Sequence, residues 1–228
     1  MKKPYTICHM MMSVDGRIDC AMTVKLEGTK EYYESLASLK TTANVSGRVT
    51  AQLEMALPGT FKNENGDAFG KEGFSKKTDS CSYTVVADTK GTLLWPKDST
   101  SEEPLIVLTS EKVSKNYLAY LDEQSVSWIV CGKEGIDFAR ASEILAREFG
   151  VERMAIVGGG SINAAFLDAG LLDEVSVLIA PGIDGRKGMT STFDGLPMER
   201  EPYQLKLESV IPYENGVVWI RYRLNKTK

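Results

Sequence analysis

Runs of apolar residues alternate along the chain with stretches of helical spacing. Tyr5-Thr6-Ile7-Cys8-His9-Met10-Met11-Met12-Ser13 is apolar at most positions, the pattern of a strand covered on both faces. It ends at Asp15-Gly16, a turn signal. Helical spacing follows over 30–40, with Thr29 as candidate N-cap and Tyr33, Leu36, Ala37 and Lys40 on one face. A short strand at 44–46 leads through Gly47-Arg48-Val49-Thr50 into a helix over 51–56, which Pro58 stops. Residues 57–80 hold Gly59, Gly66, Gly70 and Gly73 among polar residues without periodicity, so a long surface loop is expected there. Further strands are expected at 83–88, 105–108, 128–131 and 174–179, with a helix over 136–149. The tail reads as a hairpin, 204–210 and 217–224, turning near Glu214-Asn215-Gly216. This alternation predicts an α/β domain with a mainly parallel sheet and an antiparallel C-terminal edge. No repeat or linker divides it, so one domain over 1–228 is expected.

Met154-Ala155-Ile156-Val157-Gly158-Gly159-Gly160-Ser161 is the stretch around which the chemistry gathers. It reads as a buried strand, three glycines, and a helix N-capped by Ser161 that runs toward Gly170. Glycines leave no Cβ between the backbone and an approaching anion. The first N–H groups of the helix, at its positive end, then face that space. Two readings stand on this stretch alone: a phosphate or pyrophosphate site, or a plain tight turn.

Composition narrows the picture. In 228 residues with 43% hydrophobic content a substantial core can form. A net charge of −4 gives no global field for nucleic acid or anionic membrane, so any anion needs a local site. No apolar run approaches a membrane span, and Met1-Lys2-Lys3-Pro4 opens no signal-peptide core, so a cytoplasmic protein is expected. Cys8, Cys20, Cys81 and Cys131 form no CxxC pair and His9 is the single histidine, which argues against a zinc site and for reduced thiols. His9 itself is expected as a strand residue rather than an acid or base.

Three turns, Gly47-Arg48-Val49-Thr50, Leu108-Thr109-Ser110 and Gly158-Gly159-Gly160-Ser161, each follow an expected parallel strand. Ligands of open α/β sheets bind at the carboxyl ends of such strands. Helix N-termini suit a pyrophosphate, and Arg48 with the two hydroxyls suits an additional phosphate. Helix capping is the other reading of Thr109 and Ser110.

Here a resemblance enters. Ser13-Val14-Asp15-Gly16-Arg17-Ile18, Gly47-Arg48-Val49-Thr50, Val157-Gly158-Gly159-Gly160-Ser161, and Leu171-Leu172-Asp173-Glu174 followed by Ile179-Ala180-Pro181-Gly182 resemble the reductase domain of bacterial riboflavin biosynthesis proteins. The terminal Asn215-Gly216-Val217-Val218-Trp219 hairpin continues the match. The resemblance implies the dihydrofolate-reductase-like three-layer fold, a mostly parallel central sheet with an antiparallel C-terminal hairpin, and NADPH as hydride donor. It implies cofactor contacts at Gly47, Thr50, Gly158, Gly159, Gly160, Ser161 and Ile162, with Arg48, Thr109 and Ser110 near the 2′-phosphate. It also implies a cis Gly158–Gly159 peptide bond. Where the family commonly has Lys after Asp-Gly this chain has Arg17, and where it has Glu before Gly-Gly this chain has Gly158. The H-x-E and P-C-x-x-C signatures of a zinc deaminase do not occur, so at most the reductase half is expected.

The implied reaction reduces C1′ of a phosphoribosylamino-pyrimidine, of the 5-amino-6-(5-phosphoribosylamino)uracil type, from its ring-opened imine to a ribityl chain. Asp15 is the candidate for orienting substrate or relaying a proton; an Asp-Gly turn residue is its plainer reading. Arg17, Arg186 and Lys187 are candidate clamps for a substrate phosphate. A stand-alone relative acting on a pteridine, and a nucleotide-binding protein without catalysis, are the alternatives. A homodimer is expected, its apolar strand Val217-Val218-Trp219-Ile220 covering an exposed sheet edge.

Overall fold

The computed structural model describes residues 2–62, 66–98 and 101–225. In chain order its elements are β1 (Tyr5–Met12), α1 (Cys20–Thr23), α2 (Thr29–Ser38), β2 (Ala43–Gly47), α3 (Arg48–Glu54), β3 (Gly73–Ser75), β4 (Tyr83–Ala87) and β5 (Leu105–Thr109). They continue with α4 (Lys115–Glu123), β6 (Ser127–Val130), α5 (Phe138–Glu148), β7 (Arg153–Gly158), α6 (Gly160–Asp168), β8 (Glu174–Ile179), β9 (Leu205–Pro212) and β10 (Val218–Leu224). The α/β class, the parallel strands and the antiparallel C-terminal hairpin follow the pattern of the sequence. The backbone contacts fall into two compact units: Met1–Pro4 with Thr42–Met154, and Tyr5–Thr41 with Ala155–Lys228.

In the first unit β2, β4, β5 and β6 lie side by side and parallel, and β3 closes against β6 in antiparallel register. All five residues of β5 are buried, as its unbroken apolar run requires of a strand covered on both faces. Helix α4 buries Tyr117, Leu118 and Leu121, a spacing that lays one face on the sheet. Those side chains join Val86, Val107, Trp128 and Val130 in one core, where each fully buried aliphatic side chain contributes about 1.5–3 kcal/mol. Ser114 caps α4 by accepting from the Tyr117 N–H.

In the second unit β7, β1, β8, β10 and β9 lie in that order. β1 and β8 are parallel, with His9 opposite Ser176, while β10 runs antiparallel to both β8 and β9. Ile7, Leu39, Leu178, Val217 and Trp219 form a core on this unit.

Several expectations are corrected. Within 57–80, of which 63–65 lie outside the described residues, Gly73-Phe74-Ser75 forms a strand paired with β6 rather than loop. Helix α3 stops at Glu54, before Pro58 is reached. Thr29 is the first residue of α2 and Gly28 its N-cap, with φ +124°. Helix α6 starts at Gly160 with Gly159 as N-cap, so Ser161 lies inside the first turn and caps nothing. The strand around Val218-Trp219-Ile220 is no sheet edge: it sits between β8 and β9, and β9 is the edge. His9 is a strand residue as expected, fully buried and stacked on Tyr32.

Candidate functional site

In the first unit, Gly47 and Thr109 end β2 and β5, which flank β4. Arg48, the first residue of α3, is exposed and has no ion pair or hydrogen bond among the described residues. Its guanidinium is free for an anion. Thr50 is half-buried in the same turn of helix. Thr109 and Ser110 are buried, and they do not cap a helix. The Thr109 hydroxyl donates to the Thr89 carbonyl at 3.0 Å, as does the Ser110 hydroxyl at 3.0 Å and the Ser110 N–H at 3.2 Å. Three donors on an oxygen with two lone pairs leave one hydroxyl weakly held.

The turn that carries Thr89 is itself held by Asp88, which sequence reasoning passed over. Its fully buried carboxylate accepts from the Thr92 and Leu93 N–H groups at 2.6 and 2.8 Å, from the Thr92 hydroxyl at 3.1 Å and from the Tyr117 hydroxyl at 3.3 Å. The signal for it was an Asp directly after an apolar strand with glycine three residues on, the signature of an Asp-anchored turn.

In the second unit the glycine turn opens α6. The Gly158–Gly159 peptide bond is cis, as expected. Gly159 supplies no side-chain cap, and the Gly160 and Ser161 N–H groups, at the helix start, have no intrahelical carbonyl to reach. Gly160 is packed without room for a Cβ, which would fall on the Ser191 carbonyl oxygen. Ser161 is exposed and Ile162 half-buried. The donor set of a nine-residue helix with an uncapped, glycine-built head fits a diphosphate, so the residues present fit the implied dinucleotide.

The turn after β1 carries Asp15 and Arg17. Asp15 Oδ1 accepts from the Ser13 hydroxyl at 2.6 Å and the Asp184 N–H at 3.0 Å, and Oδ2 accepts from the Gly185 N–H at 3.0 Å. The Ser13 hydroxyl and then the Gly185 and Asp184 N–H groups hold its carboxyl well below the usual carboxylate range. Asp15 is therefore a fixed anion, suited to accepting hydrogen bonds and poor at taking up a proton. Arg17 Nη1 donates to the Met189 carbonyl at 2.6 Å, and its Nε stands 4.0 Å from Asp15 Oδ2. Arg186 spends its guanidinium on Asp184 and on Asp19, the latter at 2.6 Å. Lys187, beside it, is exposed. Asp15, Arg17, Arg186 and Lys187 thus gather where the loop after β8 meets the turn after β1.

Comparison with known proteins gives consistent findings. A family model described as the RibD C-terminal domain matches residues 4–219. A 2,5-diamino-6-ribosylamino-4(3H)-pyrimidinone 5′-phosphate reductase of Methanothermobacter thermautotrophicus is 30% identical over 115 residues, 50% of this chain and 52% of that protein. A protein of the same name from Aquifex aeolicus is 31% identical over 97 residues, 42% of this chain and 43% of that one. The matches thus span about half the length of these curated relatives. Among solved structures, a pyrimidine reductase-like protein of Corynebacterium diphtheriae superposes with a TM-score of 0.73 at 18% identity, covering 98% of this chain and 93% of that one. At that identity the likeness shows the fold. With the family model running from the start of β1 into β10, the chain belongs to the RibD C-terminal domain family.

Proposed function

We propose that this chain is an NADPH-dependent reductase of a ribosylamino-pyrimidine 5′-phosphate in riboflavin biosynthesis. The match of residues 4–219 to the family carries the reading. The names of the relatives at 30% and 31% identity favour the 2,5-diamino-pyrimidinone over its deaminated counterpart. When bound, NADPH would supply the hydride for the sugar-derived carbon. The head of α6 holds phosphate through its free N–H groups. Arg48 offers a charge-assisted donor fork to the 2′-phosphate, and the Thr109 and Ser110 hydroxyls are its proposed further donors. Asp15, ionised throughout the working range, orients a substrate donor, and Lys187 is the cation left free for the substrate phosphate. Loss of absorbance at 340 nm with NADPH and the 2,5-diamino substrate tests the reading; no turnover with either pyrimidine would reject it.

Cofactor choice follows from Arg48. NADPH binds more tightly than NADH, and Arg48→Ala erases most of the preference, at a cost of about 1.5–3 kcal/mol for a lost charge-assisted bond. Titration of both cofactors against both proteins checks this, and equal affinities in the unmodified chain would remove the assignment.

The homodimer is proposed through β9. Leu205, Leu207, Val210 and Ile211 are exposed on this edge strand, a row of unpaired backbone groups with apolar side chains. Light scattering at micromolar concentration gives a dimer, and Leu207→Lys shifts it to monomer. A monomeric unmodified chain refutes the proposal.

A further inference from the structure

Residues 189–194 follow β8 without helix or ladder, yet their backbone is tied down at both ends. On one side the Met189 carbonyl accepts from Arg17 Nη1 at 2.6 Å, the Thr190 carbonyl accepts from the Ile18 N–H at 3.3 Å, and Ser191 forms an isolated antiparallel bridge with Arg17. On the other side the Thr192 carbonyl accepts from Asn163 Nδ2 at 2.6 Å, and the Asp194 N–H donates to the Gly160 carbonyl at 3.3 Å. The Ser191 carbonyl oxygen occupies the place a Cβ on Gly160 would need. An irregular segment must find partners for its backbone groups, and this one finds them on two turns that are far apart in sequence. It is a strap from the turn after β1 to the head of α6.

Arg17 is the charged end of that strap. Its Nη1 is spent inward on a carbonyl, and its Nε is buried without a hydrogen-bond partner. A guanidinium serving mainly as a phosphate clamp presents its whole fork to the ligand. We propose that Arg17 is a positioning residue which, through the strap, holds the first turn of α6 in the form that binds NADPH, without itself touching the cofactor. The proposal rests on the reading of α6 as the diphosphate site. Its consequence is that a side chain expected to face substrate governs cofactor affinity.

The test compares Arg17→Met and Arg17→Lys with the unmodified chain in two measurements. The first is hydrogen exchange across 160–163 and 189–194 in the ligand-free protein. The second is NADPH affinity by nicotinamide fluorescence, with no substrate present. In Arg17→Met, exchange in both segments speeds up and the NADPH dissociation constant rises, each roughly tenfold, as expected for the loss of one charge-assisted bond. Arg17→Lys, whose ammonium can still donate to the Met189 carbonyl, recovers part of both and remains informative if the methionine variant fails to fold. Unchanged exchange, with only the substrate KM raised, would overturn the proposal in favour of a direct substrate contact. Faster exchange with unchanged NADPH affinity would also overturn it. If the unmodified chain binds no NADPH, the diphosphate reading fails by itself, while the exchange comparison still decides whether Arg17 holds the strap.

Discussion

Asp88→Ala unfolds at a temperature well below that of the unmodified chain, by roughly 10 °C. The substitution removes the acceptor for the Thr92 and Leu93 N–H groups and for the Thr92 hydroxyl, while the Tyr117 hydroxyl keeps the Leu93 carbonyl at 2.9 Å. Leu93 is fully buried, so water does not replace the lost partner there. A buried donor left unsatisfied costs about 1–3 kcal/mol, and two of them with the Thr92 hydroxyl amount to about 3–5 kcal/mol. In a chain of this size each kcal/mol moves the melting temperature by about 2–4 °C. Asp88→Asn keeps one acceptor oxygen and recovers part of the loss. The same change loosens the turn bearing the Thr89 carbonyl, and with it the aim of the Thr109 and Ser110 hydroxyls. Melting by circular dichroism decides the matter: a midpoint within a degree of the unmodified chain would mean that the turn is held by something else.

The second large effect is a pH dependence centred on His9. Ser176 Oγ accepts from Trp219 Nε1 at 2.8 Å and, in the tautomer with the ring proton on Nε2, gives its own proton to His9 Nδ1 at 2.9 Å. His9 Nε2 then carries the ring proton toward the Tyr32 carbonyl at 3.3 Å. Every member is satisfied with the imidazole neutral, and a second ring proton would have to displace the serine's. Burial lowers the His9 pKa from 6.5 to about 4, outweighing the opposite pull of the Tyr32 carbonyl. The unfolded chain therefore binds the proton first, and the stability due to this site is complete above pH 6.5 and is lost as pH falls toward 4. At 1.36 kcal/mol per unit the loss is roughly 3 kcal/mol. His9 is the single histidine, so urea unfolding of the chain and of His9→Gln over this range isolates it, the carboxylates being common to both. Parallel stability curves for the two proteins would rule out the assignment.

How much was legible in the sequence differs by element. The strands β1, β5 and β8 announce themselves because burial on both faces demands runs that are apolar at most positions. The glycine turn was legible because close packing against a carbonyl excludes a Cβ at Gly160, and only glycine meets that need. Helix α4 has too short a pattern to stand out: Tyr117, Leu118 and Leu121 give only two turns of apolar spacing, and its cap is Ser114, not Thr109 or Ser110. Strand β3 is three residues long and one is glycine, too short for any period to show. Arg17, Arg186 and Asp15 were found as charged residues in turns, but Arg17 and Asp15 take partners from 184–189 and Arg186 reaches back to Asp19, and pairings across that distance leave no local pattern. The strap is invisible for the same reason.

The second unit is discontinuous in sequence, and this has a consequence for synthesis. His9 and Ser176, opposite each other on β1 and β8, are 167 residues apart, whereas the first unit draws nearly all its residues from the stretch between them. At about 5–20 residues per second, a ribosome takes roughly 10–30 s to deliver Ser176 after His9. For that time Ile7, Cys8 and Met10, all buried in the finished protein, have no β8 to pair with. The first unit can finish folding in the interval while the apolar strand β1 waits for its partner. Exposure of β1 during translation is therefore a point at which the chain is open to association, and cold lengthens the wait by slowing synthesis even as it weakens hydrophobic association.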